Sequence, residues 1–273
     1  MITEGALNER KRLSPVLTIA GRHPGYDENV STFVLIHGGW HGAWCWLRIV
    51  ELLENLGHRV IAPDLPAHGA DSTPLTGRPY DLYVPRICEV LDSLEDLAIV
   101  VGHSSGGMVI SEAARRRSER IRSLVYLSAF LLPMGKTPRD VMKMDNESIL
   151  QECLEIDLEK GVSVVKTECA RSVFYEDCSD EDARWAIRQL QPEPLIRSGP
   201  STSEAVNGAS LTRIPRFYIE CLRDKALGPR TQRWMYTESP CDAVYSLPTG
   251  HSPFLAAPVA LTQYLLKIDD RES

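Results

Sequence analysis

Gly102-His103-Ser104-Ser105-Gly106 constrains this chain more than any other stretch, because it follows the apolar run Leu97 to Val101 with no spacer. Ile99-Val100-Val101 predicts a parallel strand buried on both faces, and Gly107-Met108-Val109-Ile110 through Arg117 predicts a helix ending in basic residues. A strand that passes into a helix over this spacing must turn so sharply that Gly102 and Gly106 have no room for side chains where backbones crowd. Ser104 is then left standing proud of the sheet edge. With Gly and Ser at about 7% each, a G-x-S-x-G match arises by chance about once in ten chains of this length. The order of strand, turn and helix therefore carries the inference.

The rest of the chain fits one α/β domain. At 273 residues and 43% hydrophobic content it can bury one large core, with room for an insertion. A net charge of -7 with dispersed basic residues argues against nucleic acid and against an anionic membrane surface, and points to a small-molecule partner. No run approaches the about 18 apolar residues of a membrane span, and the opening Met1 to Gly5 lacks a basic segment leading into an apolar one. A cytoplasmic chain is expected, and a homodimer is left open. Seven cysteines without C-x-x-C spacing indicate neither a disulfide framework nor a zinc site, so they read as reduced, mostly buried small residues.

Strand and helix patterns alternate along the sequence. Val16 to Ala20 is a short strand candidate, and Thr32 to Ile36 a stronger one that ends at His37-Gly38-Gly39. Trp46, Ile49, Val50 and Leu53 share one helical face, and Gly57 is placed to end that helix in a left-handed cap. Arg59 to Ala62 is the next strand. A helix with Tyr83, Ile87, Val90, Leu91 and Leu94 on one face then leads into the elbow strand. Ile121 to Leu127, Ile214 to Cys221 and Ala243 to Leu247 read as further strands, and Pro258 opens a closing helix. This alternation predicts a mostly parallel central sheet with helices on both faces.

The alternation breaks between Pro133 and Arg213. Met142, Met144, Ile149, Leu154 and Ile156 suggest a helical stretch there, Asp180 to Leu190 suggests another, and no good parallel strand is visible. Ser198 to Ser203 reads as a loop. An insertion just after a strand's carboxyl end would cap the ligand edge of the sheet. The expected layout is one domain over 1–273, with an extension and first strand over 1–31, core over 32–132 and 213–273, and a helical cap over 133–212.

A serine hydroxyl is a weak nucleophile until a base accepts its proton and a carboxylate orients that base. On an elbow of this kind the acid and then the histidine follow the serine, each on a loop after a later strand. Asp224 directly follows the strand Phe217-Tyr218-Ile219, whereas Glu220 still lies within it and Asp242 precedes the next strand. Ser128, at the end of the preceding strand, offers no carboxylate. His251 follows the last strand in Thr249-Gly250-His251-Ser252-Pro253-Phe254. His58 and His68 miss the right strand ends, and His103 reads as a packed spacer inside the elbow. The two N–H donors required by a tetrahedral oxyanion fall to Gly39 and Ser105. Trp40, Trp44 and Trp46 read as core or pocket wall.

Together these residues resemble the α/β-hydrolase superfamily. His37-Gly38-Gly39-Trp40-His41-Gly42-Ala43-Trp44-Cys45-Trp46 and Gly57 to Gly69, with its Pro63-Asp64-Leu65-Pro66-Ala67-His68-Gly69 loop, are similar to one branch. That branch contains plant methyl esterases, salicylate-binding esterases, hydroxynitrile lyases and bacterial EstC-like carboxylesterases. The resemblance runs from Thr32 to Leu266 and includes Phe174 to Ser179 and Trp185. It implies the α/β-hydrolase fold, a triad of Ser104, His251 and Asp224, an oxyanion hole at Gly39 and Ser105, and no cofactor or metal. The lyases carry a threonine where this chain has Gly38 and a lysine where it has Ser252, so cyanohydrin cleavage is disfavoured. Ser105 departs from the methionine or leucine usual in the branch, a change that leaves its N–H in place.

The expected activity is hydrolysis of a small or medium, largely apolar carboxylic ester through an acyl-enzyme. Candidate pocket walls are Trp40, Phe130, Leu131, Phe174, Tyr175 and Trp185. Lactone or thioester cleavage and acyl transfer use the same triad, and a non-turnover small-molecule receptor on the same scaffold is the contrasting class.

Overall fold

Alternation along the strands decides how the sheet is covered. In the computed structural model, described for residues 30–74, 79–195 and 214–271, the strands in chain order are β1 (Thr32–Ile36), β2 (Arg59–Ile61), β3 (Ala98–His103), β4 (Ile121–Leu127), β5 (Leu154–Asp157), β6 (Val162–Val165), β7 (Glu193–Pro194), β8 (Arg216–Cys221) and β9 (Ala243–Leu247). The helices are α1 (Leu47–Asn55), α2 (Tyr80–Asp92), α3 (Gly106–Arg116), α4 (Pro138–Met144), α5 (Thr167–Phe174), α6 (Asp180–Ile187), α7 (Pro229–Glu238), α8 (Pro253–Ala256) and α9 (Pro258–Arg271). Phe33 and Leu35 of β1, Ile99 and Val101 of β3, and Phe217 and Ile219 of β8 face one way, into a core shared with α1 and α9. Val34, Ile36, Val100 and Tyr218 face the other way, into a core shared with α2, α3 and α7. Both faces are apolar because both are covered. Each fully buried side chain of this kind stabilises the fold by about 1.5–3 kcal/mol.

Six strands form one all-parallel sheet in the order β2-β1-β3-β4-β8-β9. After β1 the chain steps to one side for β2, then returns across β1 to lay down β3. The order reverses between β1 and β3, where Ile36 lies opposite Gly102. Loops leaving neighbouring strands in opposite directions open a crevice at their carboxyl ends. The Gly38-Gly39 loop and the Ser104 turn both emerge there.

The helix ending at Gly57 forms as the sequence predicts. Gly57 has φ +91°, and its N–H donates to the Glu54 carbonyl at 2.9 Å. The strand expected at Val16 to Ala20 and the loop expected at Ser198 to Ser203 lie outside the described residues. Among the described residues no helix is long and apolar enough to cross a membrane.

The expected helical cap also carries strands. Met142 and Met144 lie in α4, but Leu154 and Ile156 belong to β5, the outer strand of a three-stranded antiparallel sheet ordered β5-β6-β7. A tight turn explains the change. Asp157 Oδ1 accepts from the N–H groups of Glu159 and Lys160 at 3.1 and 2.9 Å, and Gly161 takes φ +69°. That turn folds the β-branched run Val162-Ser163-Val164-Val165 back on Leu154 to Asp157, so the spacing of Leu154 and Ile156 is a strand period. Asp180–Ile187 is helical as expected, with Ser179 capping its first turn through Asp182 N–H at 3.1 Å.

Candidate active site

Sterics at the elbow fix the serine first. Ser104 has φ +53°, in the left-handed region that costs a non-glycine residue about 1–3 kcal/mol. A Cβ on Gly102 would lie 2.8 Å from the Gly106 carbonyl oxygen, and one on Gly106 would lie 2.8 Å from that of His37. The turn therefore closes only with glycine at both positions. The end of β4, the loop after it and the first turn of α3 hold it. Ser104 N–H donates to the Leu127 carbonyl at 3.3 Å, and its carbonyl accepts from Phe130 N–H at 3.0 Å and Gly107 N–H at 3.1 Å.

On the loops after β8 and β9, His251 Nδ1 donates to Asp224 Oδ2 at 2.7 Å, with both residues buried. A proton on Nδ1 leaves the Nε2 lone pair free to accept one. Asp224 Oδ1 accepts from the backbone N–H groups of Ala226 and Leu227 at 2.7 and 2.9 Å. Its Oδ2 also accepts from the Ser128 hydroxyl and from Gln232 Nε2, the latter at 3.3 Å. Apart from His251, its donors come from the residue after β4, from α7 and from the aspartate's own loop. The competing carboxylates are occupied elsewhere: Glu220 binds Arg233, Tyr236 and Ser246, and Asp242 accepts from Arg216 N–H at the far edge of the sheet.

His103 is packed, as its spacing predicts, but it also supports His251. Its Nε2 donates to the His251 carbonyl at 2.8 Å, and the two rings lie 4.5 Å apart. Burial, then the neighbouring His251 and His41, holds its pKa well below the usual histidine value, so it stays neutral. Its Nδ1 faces no partner among the described residues.

Histidines also set the orientation of the loop after β1. His37 Nδ1 donates to the Gly38 carbonyl at 2.9 Å and His41 Nδ1 to the Gly39 carbonyl at 2.8 Å. Each ring's other nitrogen is an acceptor, from Leu65 N–H at 3.0 Å and from the Tyr175 hydroxyl at 2.8 Å. Both rings are therefore neutral, and burial pushes the His41 pKa down to about 3. A Cβ on Gly38 would meet Ser104 Cβ at 2.7 Å, so Ser104 and this loop are closely packed. Across the crevice, Ser105 is the N-cap of α3, where backbone N–H groups lack intrahelical partners and the helix dipole is positive.

The candidate wall residues separate into two groups. Phe174 stacks 5.5 Å from the His251 ring and 6.0 Å from Trp40, and Phe130 is partly buried beside the elbow. Tyr175 is fully buried on His41, Trp185 packs edge-on against Trp44 at 5.3 Å, and Leu131 lies in the core on the opposite face of the sheet. Among the described residues no group of three or more His, Cys, Asp and Glu side chains is arranged to hold a metal ion.

Several residues at this edge carry no motif in the sequence. Ser128 has φ +41° at the end of β4 and binds the acid, and Gln232 reaches it from α7. From the insertion, Asp177 accepts from Gly250 N–H at 2.7 Å, and Glu193 accepts from Trp40 N–H at 3.0 Å. All four non-glycine residues with left-handed backbone among those described, Trp40, Ala67, Ser104 and Ser128, sit on loops at this edge. Strain concentrated in this way marks a site whose geometry the surrounding fold enforces.

The alpha/beta hydrolase family profile matches residues 33–263, the span that holds every element of this edge. The chain belongs to that family. Methylesterase 1 of Arabidopsis thaliana is 32% identical over 252 residues, covering 88% of this chain and 96% of the relative. A pyrethroid hydrolase of Sphingobium wenxiniae is 31% identical over 250 residues, covering 88% of each chain. Among solved structures, the pyrethroid hydrolase of Sphingobium faniae JZ-2 superposes with a TM-score of 0.78 at 29% identity, covering 88% of this chain and 98% of that one. The hydrolase fold thus accounts for the sheet, its cap and the crevice between β1 and β3.

Proposed function

We propose that this alpha/beta hydrolase cleaves a small or medium, largely apolar carboxylic ester through an acyl-enzyme on Ser104. The observation that carries this reading is the buried hydrogen bond between His251 Nδ1 and Asp224, made on two loops that leave the same edge of the parallel sheet as the elbow serine. Ser104 Oγ attacks the ester carbonyl carbon while His251 Nε2 takes its proton. The tetrahedral oxyanion is met by the Gly39 and Ser105 N–H groups. Collapse expels the alcohol with that proton, and water activated by the same histidine releases the acid. Asp224 fixes the tautomer and stabilises the transient imidazolium. Relatives named methylesterase and pyrethroid hydrolase support an ester substrate.

Trp40, Phe130 and Phe174 form the wall in this reading, with Tyr175, Trp185 and Leu131 behind it. The seven cysteines are all free thiols, which fits a cytoplasmic setting. A series of p-nitrophenyl and methyl esters graded by acyl size tests the activity. Turnover that peaks at small or medium apolar acyl groups is expected. Cyanide release from mandelonitrile without ester turnover would overturn it, since Gly38 and Ser252 supply neither a threonine hydroxyl nor a lysine ammonium.

A further inference from the structure

Beneath the oxyanion loop lies a charged pair to which the proposed hydrolysis assigns no role. His68, on the loop after β2, is 1% exposed, and its Nε2 donates to Glu193 Oε2 at 2.8 Å. Its Nδ1 faces the Pro66 carbonyl at 3.1 Å. Both ring nitrogens point at oxygen acceptors, so both carry protons and the ring is an imidazolium. That sets it apart from His37, His41 and His103, each with a neutral arrangement. Glu193 comes from β7 in the insertion, and the same Oε2 accepts from Trp40 N–H at 3.0 Å. Trp40 has φ +61° and follows Gly39 directly, and a Cβ on Gly39 would lie 3.3 Å from Glu193 Oε2.

We propose that Glu193 and His68 form a charged latch by which the cap positions the Gly39-Trp40 peptide, so that oxyanion stabilisation depends on the protonation of His68. The proposal rests on the assignment of Gly39 as an oxyanion donor. Glu193 is a positioning residue: it acts through the loop backbone and touches no reacting atom. Strained backbone at Trp40 would relax without a partner for its N–H, and a displaced Gly39 N–H would stabilise the transition state less.

The groups facing His68 define the pH range. Asp64 lies on its own loop, His37 and His41 on the loop after β1, Tyr83 on α2 with Tyr80 packed beside it, and Glu193 on β7. Nearby, Asp71 pairs with Arg86 at 3.2 Å. His37 and His41 are neutral, and burial keeps both tyrosines as phenols. Burial of His68 favours its neutral form, but the Glu193 hydrogen bond and charge, with the Pro66 carbonyl and Asp64, outweigh it and raise its pKa above 6.5. A raised histidine pKa means that the latch is complete at acid and neutral pH and is lost as pH rises through the raised value. His68 sets an alkaline limb.

The test is kcat and KM against pH for the full chain with a p-nitrophenyl ester, in wild type, Glu193→Gln, Glu193→Ala and His68→Gln. Amide hydrogen exchange over residues 38–41 is followed in the same proteins. Glu193→Ala should lower kcat about ten- to a hundredfold, less than outright loss of an oxyanion donor, with KM within about threefold and faster exchange at 38–41. Glu193→Gln keeps an acceptor for Trp40 N–H and should recover most of kcat, with its alkaline limb moved to lower pH. His68→Gln should have no alkaline limb. Unchanged kcat and exchange in Glu193→Ala, or an alkaline limb that survives in His68→Gln, would overturn the latch. If Glu193→Ala does not fold, the shifted limb in Glu193→Gln decides. If the wild type shows no Ser104-dependent turnover, the ester hydrolase reading has failed, and exchange at 38–41 still decides whether Glu193 holds the loop.

Discussion

The two sides of the crevice are held in different ways. On the acid side, Asp224 collects donors from the residue after β4, from α7 and from its own loop, all belonging to the core sheet and its helices. On the oxyanion side, the peptide after Gly39 is tied to Glu193, a residue of the inserted cap. The Asp224 carboxylate is thus held by the scaffold, while the Gly39-Trp40 peptide is tied to the inserted cap. A cap placed in this way can alter both the shape of the pocket and the stabilisation of charge within it.

The largest expected effect falls on the element both sides share. Ser104→Ala should cost about 10^4 to 10^6 in ester turnover while the fold persists, because one hydroxyl is lost and no core volume changes. Retention of more than about a tenth of wild-type turnover would remove the serine from the account.

Next comes the acid side. Asp224→Asn favours the wrong histidine tautomer and should cost about 10^4 in kcat, whereas Asp242→Asn, at the opposite sheet edge, should leave kcat within about twofold. Reversed outcomes would move the acid to another loop. Ser128→Ala removes one hydrogen bond to a charged carboxylate that keeps its other donors. A loss of about tenfold in kcat, with thermal stability reduced, is expected. An effect as large as that of Asp224→Asn would mean that the acid side is not redundantly held.

The smallest effect tests a hydrogen bond from the cap to the histidine loop. Asp177→Ala removes the partner of Gly250 N–H and should lower Tm by about 2–4 °C with kcat within about threefold. A drop in kcat to match that of Glu193→Ala would erase the contrast, since both sides would then depend on the cap.

Ser104, Asp224 and His251 are legible in the sequence as candidates because each follows an apolar strand: Ser104 after Val101, Asp224 after Ile219, His251 after Leu247. Chain order and strand ends are local patterns. Glu193 was not legible, since it lies in a two-residue strand beside Pro194 and meets Trp40 only through tertiary packing. His68 misses the strand ends that a triad would use, and its position after β2 brings it under the Gly39-Trp40 peptide through Glu193. Ser128 was seen only as the lack of a carboxylate, although a hydroxyl at a strand's carboxyl end is well placed to donate to one. Leu154 and Ile156 were misassigned because five apolar residues over a short span fit a helix or a strand until the Asp157 to Gly161 turn is recognised.

Covalent capture tests the central claim most directly. Stopped-flow with a chromogenic ester, joined to intact mass on the quenched protein, should show a burst near one equivalent and an acyl adduct that maps to Ser104. Steady turnover with the adduct on another residue, or an undiminished burst in Ser104→Ala, would contradict it.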